Sequence, residues 1–289
     1  MDRELLSEVY SQVPPEVLYH YTTQAGLLGI LESRTIWATH TQYLNDRREY
    51  LHALDLARGR LAELKTKHTD EWVQQALVAM VEGLEGVEGM CVCVFSLSED
   101  GDSLSQWRAY SGGVGGVAIG ISRETLLEVC KRSALRFGKC VYELGPQKEL
   151  MAVLVDAALE DALWFRKPGV VDWKGKVREM MAEYMNQYAP LLKDRSFHSE
   201  QEWRLISGPI APHAYDFRFR VGASTIVPYY RVRLDESKER RFSPVKVIVG
   251  PTPHAEQAAH AVRLLLWRRK MDECSIKGVV LSEVPYRSW

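Results

Sequence analysis

The chain has 289 residues, with 37 Lys+Arg against 38 Asp+Glu, a formal net charge of -1 and 46% hydrophobic residues. These values are those of a globular protein with a sizeable core, and they exclude low-complexity disorder, a collagen-like chain and a strongly acidic tail. A near-neutral chain has no global field to draw it onto nucleic acid, although local basic patches are compatible with it.

A short polar helix opens the chain and Pro14-Pro15 breaks it. A strand is predicted at 17–21. Thr22 and Thr23 suit the N-cap of a helix with Leu27, Leu28, Ile30 and Leu31 on one face. A short strand at 35–39 leads into the polar turn QYLNDRREY, then a long amphipathic helix over 46–67 and another over 70–84. Strands are predicted at 90–98 and 117–121, with a short helix or turn at 104–110 and a flexible glycine loop at 112–116. A helix at 123–132 and a strand at 138–143 follow. The pattern from 147 to 192 is helical, broken near Pro168-Gly169. Strands at 201–207, 216–221, 225–233 and 245–250, a helix at 253–271 and a strand at 277–282 complete the chain. Mixed elements without regular βαβ alternation predict an α+β architecture. One domain over 1–289 is expected, with helical insertions at about 46–85 and 147–192 packed on one sheet system.

The polar start MDRELLSEVYSQVPPEV has no basic opening and no apolar core, so no targeting segment is expected. No window of about 18 apolar residues exists to span a membrane. The five cysteines form no CxxC pair, which argues against a disulfide framework or a zinc site and for a reducing, cytoplasmic compartment. The eight histidines do not pair at metal-ligand spacing, and no metal is expected. No P-loop, HExxH or GxSxG motif is present.

Several segments could carry chemistry. His20, in LYHYTT, suits either a ligand contact at a strand end or a satisfied core position. Asn45, Asp46 and Glu49 are explained by a helix cap, whereas Tyr43 suits a staple or a stacking platform. In FSLSEDGDSLSQWRAY, Ser96 and Ser98 alternate on a strand. Trp107, Arg108 and Tyr110 could hold a planar charged ligand or form a half-buried turn. In FHSEQEWRLIS an extended strand puts Glu200, Glu202 and Arg204 on one face. That face suits either a solvated ion-pair surface or a carboxylate pair lining a cleft, where it would favour positive charge on a sugar as a glycosidic bond breaks. The tail SEVPYRSW could return Arg287 to a site or be an exposed terminus. Arg218, Arg220, Arg231 and Arg233 alternate on predicted strands. They could track phosphates or be a charged face balanced by Asp235, Glu236 and Glu239.

LYHYTTQAGLLGILES, QYLND, SLSQWRAYSGGVGGVAIGI, EWRLI, KVIVGP and SEVPYR occur in that order. Together they resemble the bacterial domain-of-unknown-function family 2971 (DUF2971) over roughly residues 17–288. The N-terminal HYT-helix-strand and the late Glu in turn look like the ADP-ribosyltransferase superfamily. That resemblance implies a split β-sheet clasping NAD as substrate. His20 would hold the NAD ribose and nicotinamide amide, with Tyr21, Thr22, Trp107 and Arg204 as further NAD contacts. Ser96 and Ser98, with Tyr43 as rival, would support the nicotinamide ribose. Glu202 would contact the ribose 2′-hydroxyl and stabilise the oxocarbenium-like transition state, and Glu200 would activate the acceptor. Glu200, Arg108 or Arg287 would position the acceptor or the diphosphate. The middle motif FSLS departs from the pattern by lacking the central Thr of Ser-Thr-Ser, and the helical insertions are large. The expected function is ADP-ribosyl transfer to a protein or nucleic acid, as in a toxin or phage-defence effector with an antitoxin or defence-system partner. NAD hydrolysis and a non-catalytic nucleotide-sensing or interaction module are the alternatives.

Overall fold

The computed structural model describes residues 3–44, 47–86, 91–112, 115–235 and 241–286. Among these, ten strands form one open sheet. They are β1 (Val17–Thr22), β2 (Thr35–His40), β3 (Cys93–Ser98), β4 (Val117–Ser122), β5 (Arg136–Lys139), β6 (Glu202–Ile206), β7 (Phe217–Val221), β8 (Ile226–Arg233), β9 (Lys246–Val249) and β10 (Val279–Leu281). The main path runs β10-β9-β4-β1-β3-β2-β8-β7, and β6 then β5 continue from the other edge of β3. The named strands pair antiparallel except β9 with β10, which α9 (Ala255–Arg268) joins as a crossover.

β3 is the branch point. One edge pairs with β6 over its length, from Val94 opposite Ile206 to Ser98 opposite Glu202. The other edge is shared. β2 takes its start, with His40 opposite Cys93, and β1 takes its end, with Tyr19 opposite Ser98. Between those contacts β1 and β2 diverge.

Two layers of helices cover the sheet. α1 (Glu4–Ser11), α3 (Arg47–Lys67), α4 (Glu71–Gly86), α7 (Leu144–Ala162) and α8 (Trp173–Tyr188) share one apolar core, which includes Val94 of β3 and Ile206 of β6. α2 (Gln24–Ser33), α6 (Arg123–Ser133) and α9 pack on a second core with Phe95, Leu97, Trp203 and Leu205. Alternate residues of β3 and β6 therefore feed both cores, as the two-residue period of a strand requires. The short helix α5 (Leu104–Tyr110) lies across the end of β1, where Trp107 meets Tyr21 edge-on at 4.7 Å. Cys93, Cys130, Cys140 and Cys274 are buried free thiols and Cys91 is half-buried. Burial pushes Cys93 and Cys130 up to about 12 and Cys274 up to about 11.

Local chemistry explains the starts and stops. Thr23 caps α2 by accepting from Gly26 N at 3.1 Å, and Ser122 caps α6 by accepting from Thr125 N at 3.2 Å. Both helices end on left-handed residues, Arg34 and Ala134. The α+β pattern expected from sequence is the observed one. Three expectations need correction. Leu28 is 44% exposed, because Leu27 and Leu31 of α2 are the ones buried in the core, with Ile30 packed at its edge. The strand expected at 138–143 ends at Lys139, because Val141 leaves β5 to bridge Leu192. The last strand starts at Val279, because Cys274–Gly278 form a π-helical turn. The helix cap expected at Asn45 and Asp46 lies outside the described residues.

Candidate functional site

The start of β6 carries the densest charged cluster. Glu200 ends a 3-10 turn, Arg195–Glu200, and Gln201 follows in the left-handed conformation at φ 43°. The extended strand expected from 201 thus begins at Glu202. The turn is pinned by Ser98, whose hydroxyl donates to the Glu200 carbonyl at 2.7 Å, and by Glu99 N donating to the Gln201 carbonyl at 3.1 Å. Despite the break, both carboxylates converge on one cation. Lys193 Nζ donates to Glu200 Oε2 at 2.6 Å and to Glu202 Oε2 at 2.5 Å. Arg204 grips Glu202 with Nε at 2.8 Å and Nη2 at 2.9 Å, and its Nη1 donates to the Pro190 carbonyl at 2.6 Å.

The backbone places Lys193. Lys193 N donates to the Val141 carbonyl at 3.1 Å, and Gln147 Nε2 donates to the carbonyls of Val141 and Lys193. Tyr142 accepts from Glu202 N at 2.8 Å. All four charged residues are buried. Burial alone would raise the Glu202 carboxyl. The positive charges of Arg204 and Lys193 outweigh it and hold the group down at about 2. The face expected to be either solvated or a cleft wall is thus a buried, charge-balanced cluster. Lys193 was missed because it closes a run read as the end of a helix. Its one sequence signal is a lysine after the apolar stretch Ala189–Leu192, just before the paired carboxylates.

His20 lies where β1 and β2 diverge. Its Nδ1 donates to the Ser96 carbonyl at 3.1 Å, a carbonyl on the unpaired part of that β3 edge, and its ring packs on Phe95 at 4.3 Å. Burial pulls the imidazole down to about 4, against the Ser96 carbonyl, which favours the charged form. Strand register sets His20 on the opposite face from Ser98 and Glu202, because Tyr19, not His20, stands opposite Ser98. The structure therefore joins Ser98, Glu200, Glu202 and Arg204 in one cluster, and His20 with Ser96 in a neighbouring contact.

The other expected site residues have different surroundings. Tyr21 is buried, donating to the Asp100 carbonyl and accepting from Ser103 N, both at 2.8 Å. Thr22 ends β1 beside Gly26, where an added Cβ would lie 2.0 Å from the Thr22 hydroxyl oxygen. Tyr43 is 41% exposed, edge-on to His40. Trp107 is fully buried and donates through Nε1 to Asp102 at 2.7 Å. Arg108 lies over the Tyr286 ring at 5.2 Å. Arg287 lies outside the described residues.

Asp102, a residue not singled out in the sequence, also accepts from Ser282 Oγ at 2.5 Å and Glu283 N at 2.7 Å. It thereby ties the C-terminal segment to α5, beside a pocket of about 520 Å³ lined by Pro251, Thr252, Ser282 and Tyr286. No group of three or more His, Cys, Asp or Glu residues that could hold a metal ion occurs among the described residues.

Residues 106–205 match the family model described as "Protein of unknown function (DUF2971)". The matched segment takes in Lys193, Glu200, Glu202 and Arg204, and leaves out His20, Ser96 and Ser98. No curated protein and no solved structure matches the chain.

Proposed function

We propose that the chain is an ADP-ribosyltransferase acting on a macromolecule. One observation supports this reading. The strands bearing the three expected motifs lie side by side, β1 with His20, β3 with Ser96 and Ser98, and β6 with Glu202. Within it, Glu202 serves as a fixed negative charge and not as a general base, because a carboxylate held near pKa 2 is a weak proton acceptor at neutral pH. Glu200 has Lys193 as its cation and ends the 3-10 turn just before the strand, and on this reading it is the residue that activates the acceptor. The aromatic part of the expected NAD set does not fit. Tyr21 and Trp107 are committed to each other in the interior, and His20 faces away from the carboxylates. Tyr21 and Trp107 are therefore not placed to stack on a nicotinamide ring.

A second reading, an interaction module without turnover, is favoured by the charge balance of the cluster. Lys193 and Arg204 already neutralise Glu200 and Glu202. Nicotinamide release from NAD by wild type and Glu202→Gln, with and without cell lysate, separates the readings. Release by wild type that needs lysate and drops at least about 100-fold in the variant supports transfer. Release without lysate supports hydrolysis. No release in either condition supports the interaction module.

A further inference from the structure

The wing of the sheet formed by β2, β8 and β7 carries arginines and aromatic rings on one open face. Trp37 of β2 is 43% exposed and stacks on Tyr229 of β8 at 4.5 Å and 27°. Register places Arg231 opposite Trp37, Arg233 opposite Thr35, Arg218 opposite Tyr229 and Arg220 opposite Val227. Directly opposed residues project from the same face of an antiparallel pair, so these side chains form one surface. Arg220 Nη2 also reaches Thr39 Oγ1 of β2 at 3.3 Å. At the outer edge Tyr215, 74% exposed, lies under the guanidinium groups of Arg218 at 4.9 Å and Arg231 at 5.7 Å.

The charge on this face is unbalanced among the described residues. Asp216 pairs with Arg231 at 2.7 Å. Asp235, expected to offset the arginines, is turned to Arg34 at 3.1 Å, and Glu236 and Glu239 lie outside the described residues. At the end of the same strands, Arg34, Arg241, Arg269 and Lys270 line a pocket of about 330 Å³, in which Arg34 pairs with Asp235 and Arg269 with Glu32.

We propose that this face binds single-stranded nucleic acid, with Trp37 and Tyr215 stacking on bases and Arg218, Arg220 and Arg233 on phosphates. Side chains two apart on a strand stand about 7 Å from each other, a spacing that lets successive arginines follow an extended backbone. Rings beside arginines take unpaired bases of any sequence, which a duplex would keep stacked inside. An acidic protein would meet the arginines but has no use for exposed stacking rings. The face shares no residue with the cluster around Glu202, so its binding and ADP-ribosyl transfer can fail separately.

The test is fluorescence anisotropy of the full chain with labelled 20-nucleotide dT and U oligomers and a 20-base-pair duplex, at two salt concentrations. Wild type is expected to bind the single strands more tightly than the duplex. Trp37→Ala is expected to weaken binding about 10-fold, and Trp37→Phe to retain most of it, since a ring remains. Arg218→Ala/Arg220→Ala is expected to lower the salt slope by about 1.4, two phosphate contacts at about 0.7 each. Arg166→Ala on the helical layer, with its folding checked alongside the others by circular dichroism, is expected to bind as wild type. No binding at low salt, or binding indifferent to both Trp37 and the arginine pair, overturns the proposal. Equal displacement by poly-glutamate and by unlabelled oligomer overturns it in favour of an acidic protein partner.

Discussion

Glu202 is ionised in a place that water barely reaches, and acid stability follows from that. Its carboxyl lies at about 2 in the folded chain against an ordinary 4.5. A group with a depressed folded pKa contributes stability that is full above its unfolded pKa and is lost as pH falls through the folded one. The contribution, roughly 3 kcal/mol, is therefore expected to persist above about pH 4.5 and to disappear between there and pH 2. Lys193→Met leaves two buried carboxylates with only Arg204 as a cation, and is expected to cost roughly 3 kcal/mol at pH 7 and to move the acid transition upward. Urea midpoints across pH 2–7 for both proteins check this. An unchanged midpoint in the variant would remove the cluster from the list of stabilising contacts. At this scale the sequence was half legible. The spacing of Glu200, Glu202 and Arg204 predicted a shared strand face; Glu202 and Arg204 do share it, and Glu200, in the 3-10 turn before the strand, joins them through Lys193. What hid was their partner, because Lys193 arrives through a Val141–Leu192 bridge between segments far apart in sequence. The aromatic candidates Tyr21 and Trp107 illustrate the converse. Residue type alone does not distinguish a stacking platform from an interior pair, and here the interior contacts with Asp100, Ser103 and Asp102 decide it.

The helices of the first layer meet through small residues as well as large ones. Gly83 of α4 faces α8 so closely that an added Cβ would lie 2.7 Å from the Arg178 carbonyl oxygen and 3.1 Å from its Cα. Backbone atoms cannot swing away, so the two helices would have to part. Gly83→Ala gains about 1 kcal/mol of helix propensity and pays about 1–3 kcal/mol for overpacking, so a net loss of about 1 kcal/mol is expected. Gly29 of α2 has nothing within 4 Å of the same added atom, and Gly29→Ala is expected to raise the melting temperature by the propensity term alone. Opposite signs in thermal unfolding would support both placements, and a rise in both would show that α4 and α8 can part cheaply. Elements of this kind were largely readable, since periodicity, the Thr23 cap and the proline breaks mark them locally. At 138–143 the apolar run 140–142 reads as strand, but tertiary pairing with Leu191 and Leu192 takes the chain out of β5 after Lys139.

At the scale of the molecule, β3 and β6 belong to both cores at once, so neither layer can be removed without exposing the other's strands. Sequence showed the helical segments 46–85 and 147–192 as insertions, but not that α3, α4, α7 and α8 would join α1 on a single face, which depends on long-range packing. The sharing of strands gives the buried thiols a use beyond filling space. Cys93, Cys130 and Cys274 sit in the second core, and Cys140 lies just past β5, all closed to solvent. A thiol-specific reagent added to the native protein is expected to modify Cys91 early. The other four are expected to follow together at one slow rate, as mass spectrometry of each cysteine peptide over time would record. Staggered rates among those four would mean that the layers open separately. A common rate would make the cysteines clocks for a single event, the momentary opening of the whole molecule.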